Sequence, residues 1–264
     1  MTSTPQRQPR RIRKSPEERR AEIVRTAARI ALAQGLELVT LRRVADELGV
    51  RPSLIGHYFP ASDDLVAEAF AHAATRERDS LLPREEDGLP PVDRIALFLE
   101  RLTNGEYADL SRLWLNARHL SRFKPSLTQA VEAQETGTRG ELVALIEEAG
   151  LGTTGGALRA ALHILIAVDG VGTYANAAPG DEILQAAPDL GDLVIETAEM
   201  HLGLPPGTLR ERARAHDRAA SSRPPRGRNR EAPLRPDEDP SARLPAQGER
   251  PAGATVRARR PRPE

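Results

Sequence analysis

The sequence predicts an all-α protein: an N-terminal three-helix domain containing a helix-turn-helix, a larger helical body, and a disordered C-terminal tail. Three observations carry that prediction. Apolar residues recur at helical spacing through most of residues 15–204. Clusters of Gly and Pro cut this pattern into pieces of helix length. No alternating apolar–polar run long enough to pack as a strand interrupts them.

The elements follow in order. Residues 1–14 are polar, with two prolines and five basic residues (Arg7, Arg10, Arg11, Arg13, Lys14), and read as a flexible basic arm. "SPEE" opens the first helix, with Ser15 as N-cap, Pro16 at the first helical position and Glu18 placed to close a capping box. Ile23, Ala27, Ile30 and Ala31 form its inward stripe, and Gly35 stops it. Thr40 caps a second helix with Val44, Ala45 and Leu48 facing inward, and Gly49 ends it. Pro52 starts a short third helix through Phe59. Ser62 is the expected N-cap of a fourth helix to about Leu82, with Asp63 and Asp64 in its first turn, where the helix dipole favours anions.

"PREEDGLPP", residues 83–91, reads as a linker. Five further helices are expected at roughly 92–104, 106–122, 126–149, 156–178 and 188–203. From Pro205 the chain holds eleven of its 22 prolines, no aromatic residue and many arginines. Such a segment buries too little apolar area to offset its ordering entropy and is expected to be disordered. The predicted organisation is therefore an arm (1–14), a domain with its connecting helix (15–82), a helical body (92–204) and a tail (205–264).

Composition narrows the function. The 38 basic and 38 acidic residues cancel, but unevenly along the chain. Residues 1–60 carry 12 Lys/Arg against 6 Asp/Glu, residues 61–204 carry 11 against 24, and the remainder 15 against 8. A basic head on an acidic body fits a nucleic-acid-binding module; two solvated surfaces of opposite sign would give the same counts. The chain has no cysteine, so disulfides, thiolate catalysis and cysteine-ligated metals are excluded. The arginine-bearing N-terminus lacks the apolar stretch of a secretory signal. Arg159, His163 and Asp169 inside the most apolar stretch argue for a buried helix rather than a membrane span, so a cytoplasmic location is expected.

The decisive stretch is "TLRRVADELGVRPSLIGHYF", residues 40–59. Two short helices meet at a steep angle only if the residue between them accepts a left-handed conformation, and Gly49 does so without steric cost. Val50 then fills the angle, Ile55 and Phe59 face the core, and small Ala45 lets the helices approach. Pro52, Ser53, Gly56 and His57 are left outward. A face of small, hydrogen-bonding groups suits the major groove, where base edges are read. Arg42, Arg43 and Arg51 lie within reach of flanking phosphates.

On these residues the chain resembles the TetR family of transcriptional regulators. The carrying motifs are "IVRTAARIALAQGLELVTLRRVADELGV" and "HYFPASDDLVAEAF", within about Glu17 to Ala71; "GVRPSLIGHYF" is similar to the BetI branch. A weaker likeness extends over residues 92–203 through "RLWLNA" and "AVDGVGTYANAA". The resemblance implies that Thr40 and Arg42 touch DNA and that Pro52, Ser53, Leu54, Gly56, His57 and Tyr58 occupy recognition-helix positions. Ser62 stands where many members carry a phosphate-meeting lysine, and Gly56 replaces a frequent phosphate-contacting tyrosine. The resemblance also implies a repressor, a homodimer on a palindromic operator of double-stranded DNA, and a small-molecule effector.

The last two expected helices are the dimer candidates through Leu158, Leu162, Leu165, Leu190, Leu193, Val194, Thr197 and Met200. The same residues would serve equally as the body's own core, and the family's habit of pairing its last two helices favours the interface. Candidate effector-pocket residues are Tyr107, Trp114, Arg118, His119, His163, Asp169 and Tyr174. Within so apolar a helix Asp169 must be hydrogen-bonded, paired or protonated. The acidic body favours neutral or cationic effectors, and branch analogy alone suggests a choline-like cation.

Catalysis finds no support. The six histidines lack metal-ligand spacing such as H-E-x-x-H, so no metal or cofactor is expected. "GLGTTGG" lacks the lysine and preceding strand of a phosphate loop, and no Ser/His/Asp arrangement is implied by position. The remaining alternative is a nonspecific architectural DNA binder acting through arm and tail.

Overall fold

A computed structural model describes residues 14–84, 87–103, 108–153, 155–176 and 190–221. They form ten α-helices with no strand among the described residues. These are α1 (Pro16–Gln34), α2 (Leu41–Leu48), α3 (Pro52–Tyr58), α4 (Ser62–Leu81), α5 (Pro91–Thr103), α6 (Ala108–Ser121), α7 (Pro125–Glu148), α8 (Gly156–Ala175), α9 (Leu190–Leu202) and α10 (Thr208–Ser221). The all-α expectation holds, and the nine helices it named fall within three residues of their expected ends wherever those ends are described.

Local chemistry sets the boundaries. Ser15 and Glu18 form the reciprocal capping box at α1. Thr40 Oγ1 accepts from the Arg43 amide at 3.1 Å to start α2. Ser62 is not a cap but the first helical residue of α4; Ala61 holds the cap position without a side-chain bond. A single 3₁₀ turn, Leu36–Leu38, joins α1 to α2 and sinks Leu36 into the core.

Two apolar cores fill the molecule. The first joins α1–α4 to the inner faces of α6 and the start of α7, through Leu110, Leu113, Ala117, Leu127 and Val131. The expected break at residues 83–91 is therefore no break in packing. Arg94 Nε donates to the Pro83 carbonyl at 3.1 Å, and Arg101 Nη1 donates to the Leu81 carbonyl at 2.9 Å, tying α5 to the end of α4. The second core gathers α5, the C-terminal half of α7, α8, α9 and α10.

Helix α10 corrects the tail boundary. The tail expected from Pro205 starts with 14 residues of packed helix, in which Leu209 and Ala213 are buried. Apolar content does not hold it; carboxylates from elsewhere do. Glu199, buried on α9, accepts from the Gly207 and Leu209 amides at 2.8 Å each and so caps the incoming helix. Asp93 on α5 receives Arg212 at 2.6 Å and His216 at 3.0 Å, and Arg210 pairs with Asp192. The rest of the predicted tail, and the arm up to Arg13, lie outside the described residues.

Candidate nucleic-acid interface

Gly49 is left-handed, at φ 62° and ψ 36°. The Val50 amide reaches the Ala45 carbonyl at 2.9 Å and the Gly49 amide reaches Asp46 at 3.2 Å, the paired closure of a Schellman end. This closes α2 and aims the chain into α3, where Pro52 presets the first helical residue. Ile55 and Phe59, both buried, anchor this segment in the core it shares with α1, α2 and α4. Arg20 adds a cation–π contact 4.8 Å over the Phe59 ring. Helix α3 is thus fixed by its inner side and free on its outer side.

That outer side carries the expected groups. Pro52, Ser53 and His57 are exposed, Leu54, Gly56 and Tyr58 half-exposed, and a shallow concavity opens over Gly49, Val50, Arg51, Ser53, Leu54 and His57. The His57 ring stands edge-on to Tyr58 at 5.4 Å, which limits its rotation. Arg42 is 87% exposed beside Asp46 at 4.0 Å, and Arg43 is steered by a 3.2 Å bond to Gln34. No carboxylate lies between residues 51 and 62 to repel a phosphate backbone. Thr40 is exposed but already spends its hydroxyl lone pair on the Arg43 amide.

Residues 23–69 match the family model described as "Bacterial regulatory proteins, tetR family". The match runs from within α1 through α2 and α3 into the first part of α4, the segment that carries the helix-turn-helix. The chain is 26% identical over 137 residues to the HTH-type transcriptional regulator PksA of Bacillus subtilis, spanning 51% of this chain and 67% of that one. Its fold matches a transcriptional regulator from Saccharomonospora viridis crystallised with choline, at a TM-score of 0.57 and 20% identity over 69% of this chain and 96% of that one. It also matches a TetR transcription regulator from Haloarcula marismortui, at a TM-score of 0.56 and 23% identity over 71% and 97%. All three of these proteins are described as transcriptional regulators.

A cavity of about 210 Å³ opens between α4, α5, α6, α7 and α8. Of the seven expected pocket residues it contains three: Trp114, Arg118 and Asp169. His119 is exposed and set edge-on to Phe123, His163 is stacked on His201 at 3.7 Å between α8 and α9, and Tyr174 is 57% exposed. None of these three lines the cavity, and Tyr107 lies outside the described residues. Phe98, Leu102, Leu165, Glu135 and Arg139 line it instead, without having been singled out in the sequence as pocket residues. Glu135 and Arg139 are four apart on α7, a spacing that places both on one face.

Arg118 organises this space. Its Nε reaches Glu135 at 2.9 Å and its Nη1 reaches Asp169 at 3.0 Å, while its guanidinium sits 5.1 Å over the Trp114 ring. Asp169 is thus paired within its own chain. Burial lifts its carboxyl above the ordinary value; the Arg118 charge opposes that lift and Glu135 adds to it. For Arg118, burial works against the charged form, but bonds to Glu135 and Asp169 outweigh it and hold the guanidinium protonated.

Among the dimer candidates, Leu158, Leu162, Leu193 and Met200 are exposed, at 53%, 40%, 47% and 70%. Ile166, at 67%, extends the same apolar face. Leu165, Leu190 and Thr197 are half-buried, whereas Val194 belongs to the core and is unavailable to a partner.

Proposed function

We propose that this chain is a TetR-family regulator, a homodimeric repressor that binds a palindromic operator through α3 and leaves it when a small molecule fills the Arg118 cavity. The observation that carries the reading is the outward face of α3: small, polar, free of carboxylates and held by two buried anchors. Thr40, Arg42, Arg43 and Arg51 flank it as backbone contacts. One copy presents too few contacts for a selective site, and a two-fold pair spanning successive major grooves doubles them. The exposed apolar face of Leu158, Leu162, Ile166, Leu193 and Met200 favours such a pair, since monomers rarely expose so many neighbouring large apolar groups.

Within the family, "GVRPSLIGHYF" favours the BetI-like branch for the reading helix. Release would be linkage: the effector binds better to a conformer whose two α3 helices are wrongly spaced. A hundredfold loss of DNA affinity requires about 2.7 kcal/mol of such preference.

The test is selection of random duplexes on the purified protein, followed by sequencing. A palindrome bound roughly a thousandfold over random DNA at physiological salt supports the reading. Uniform recovery with a steep salt slope would instead mark a nonspecific architectural binder. His57→Ala should erode operator preference more than general affinity; equal losses on both DNAs would remove its reading role.

A further inference from the structure

The cavity holds one charge that its own walls do not use. Glu135 and Asp169 both bond to Arg118. Arg78 donates to Gln134 at 3.2 Å and pairs with Glu141 at 3.2 Å, and neither partner lines the cavity. Arg139 remains. Its hydrogen bond is a long 3.4 Å contact to Thr136 Oγ1, and no carboxylate among the described residues pairs with it.

We propose that this cavity takes a lipophilic monoanion, a carboxylate on an apolar body, with Arg139 holding the headgroup. The proposal rests on the effector reading above only for what binding does to DNA. Phe98, Leu102, Leu165 and Val168 wall the space of about 210 Å³ with apolar surface, the mostly apolar lining with few polar groups that small-molecule sites share. A guanidinium presents parallel N–H donors that match a carboxylate in two bonds. A neutral ligand would cover Arg139 without pairing it, at a desolvation cost.

A quaternary ammonium fits less well, although the Saccharomonospora viridis regulator was crystallised with choline. Such a cation needs an open aromatic face. The Trp114 face is covered by Arg118 at 5.1 Å, and the ring meets Phe70 edge-on at 5.1 Å. The two carboxylates that could neutralise a cation already share one guanidinium.

Trp114 is the sole tryptophan of the chain, so its emission reports occupancy directly. The full-length protein is titrated with octanoate, decanoate, decylammonium and choline, all below micelle-forming concentrations. Decanoate should shift Trp114 emission saturably and bind tighter than octanoate by about fourfold per added methylene. Arg139→Gln should weaken decanoate at least tenfold, and Arg139→Lys should retain part of the affinity. The melting curve of Arg139→Gln should match the parent, because the side chain makes one long contact.

No saturable response to decanoate, tighter binding of decylammonium or choline, or full decanoate affinity in Arg139→Gln would each overturn the proposal. Gel-shift assays on the selected operator separate it from the reading beneath. Decanoate that binds without releasing DNA upholds the ligand class and overturns the effector role. Choline that releases DNA while decanoate is inert does the reverse.

Discussion

Replacing Glu199 with alanine should undock α10. The carboxylate is 3% exposed and accepts two backbone amides at 2.8 Å, from Gly207 and Leu209. A hydrogen bond to a charged group is worth about 1.5–3 kcal/mol. The Gly207 amide is half-buried and regains water when the carboxylate is gone, so most of its share is recovered. The Leu209 amide is buried and recovers little. Their sum, with the cavity left by the missing side chain, comes to about 3 kcal/mol. For a protein of this size that is a fall of roughly 6–12 °C in Tm. Glu199→Gln keeps one acceptor oxygen and should lose about half as much.

Thermal unfolding followed by circular dichroism measures the size of the effect, and amide hydrogen exchange locates it. Protection should drop first in residues 208–216, before α5 and α9 lose theirs. Ending the chain after Leu204 removes the helix outright, strands the Glu199 and Asp93 carboxylates without their partners, and should be at least as damaging. Ending it after Ser221 should leave the melt unchanged. If Glu199→Ala melts within about 1 °C of the parent, or both truncations behave alike, α10 is not held by these carboxylates and the reasoning fails.

Gly49→Val should cost about 1–2 kcal/mol, because a β-branched residue resists the left-handed region, and should abolish operator binding; an unaltered gel shift would show that the elbow tolerates another geometry. Arg118→Ala should destabilise by about 1–2 kcal/mol, since the partly exposed Glu135 and Asp169 lose their shared partner, whereas Asp169→Asn leaves the Arg118–Glu135 bond and should stay within about 0.5 kcal/mol of the parent. Equal denaturation midpoints for the two variants would count against Arg118 as the hub. Burial raises the Asp93 carboxyl, but bonds from Arg212 and His216 outweigh it and hold it below its ordinary value. A depressed carboxyl stabilises above its unfolded pKa of about 3.9 and loses that contribution as pH falls through the lower folded value. Amide protection of α10 should therefore persist at pH 5 and decline below about pH 4; Asp93→Asn should remove that acid limb.

The head of the protein was legible because its determinants are local. Ser15, Glu18, Thr40, Gly49 and Pro52 act within five residues of their own positions, so spacing alone places the turns. Helix α10 was not legible: its buried residues, Leu209 and Ala213, are too few to mark a helix. Its anchors lie on α9 and α5, as far as 119 residues away in sequence. The cavity shows the same division. Trp114, Arg118 and Asp169 stand out as large or charged residues on apolar helices, whereas excluding His119 and admitting Arg139 depends on helix rotation that only tertiary packing sets. Val194 and Leu193 are neighbours on one apolar helix, and nothing in the sequence says which of them the core takes.

Helix α6 borders both the core of α1–α4 and the cavity. Its Arg118 faces the cavity, while Leu110, Leu113 and Ala117 belong to the core of α1–α4. Trp114 presses edge-on against Phe70 of α4, and Arg112 Nη2 donates to the Leu32 carbonyl of α1 at 2.8 Å. Helix α3 is fixed to that core chiefly by the buried Ile55 and by Phe59 at its end, close-packed contacts that resist small displacements. The seam between α6, α7 and α8 instead includes polar links, the Arg118 guanidinium shared between two half-exposed carboxylates and a 2.7 Å bond from Asn176 Nδ2 to Ser111 Oγ, beside the cavity that Arg139 lines. Displacing that seam is therefore easier than deforming the head. On the proposed reading, an α6 that shifts would carry α1 and α4 with it as a body and re-aim α3 without unfolding it. The roughly 2.7 kcal/mol that hundredfold release requires on that reading exceeds what breaking one partly exposed ion pair supplies, so apolar contacts in the cavity must carry part of the ligand's preference.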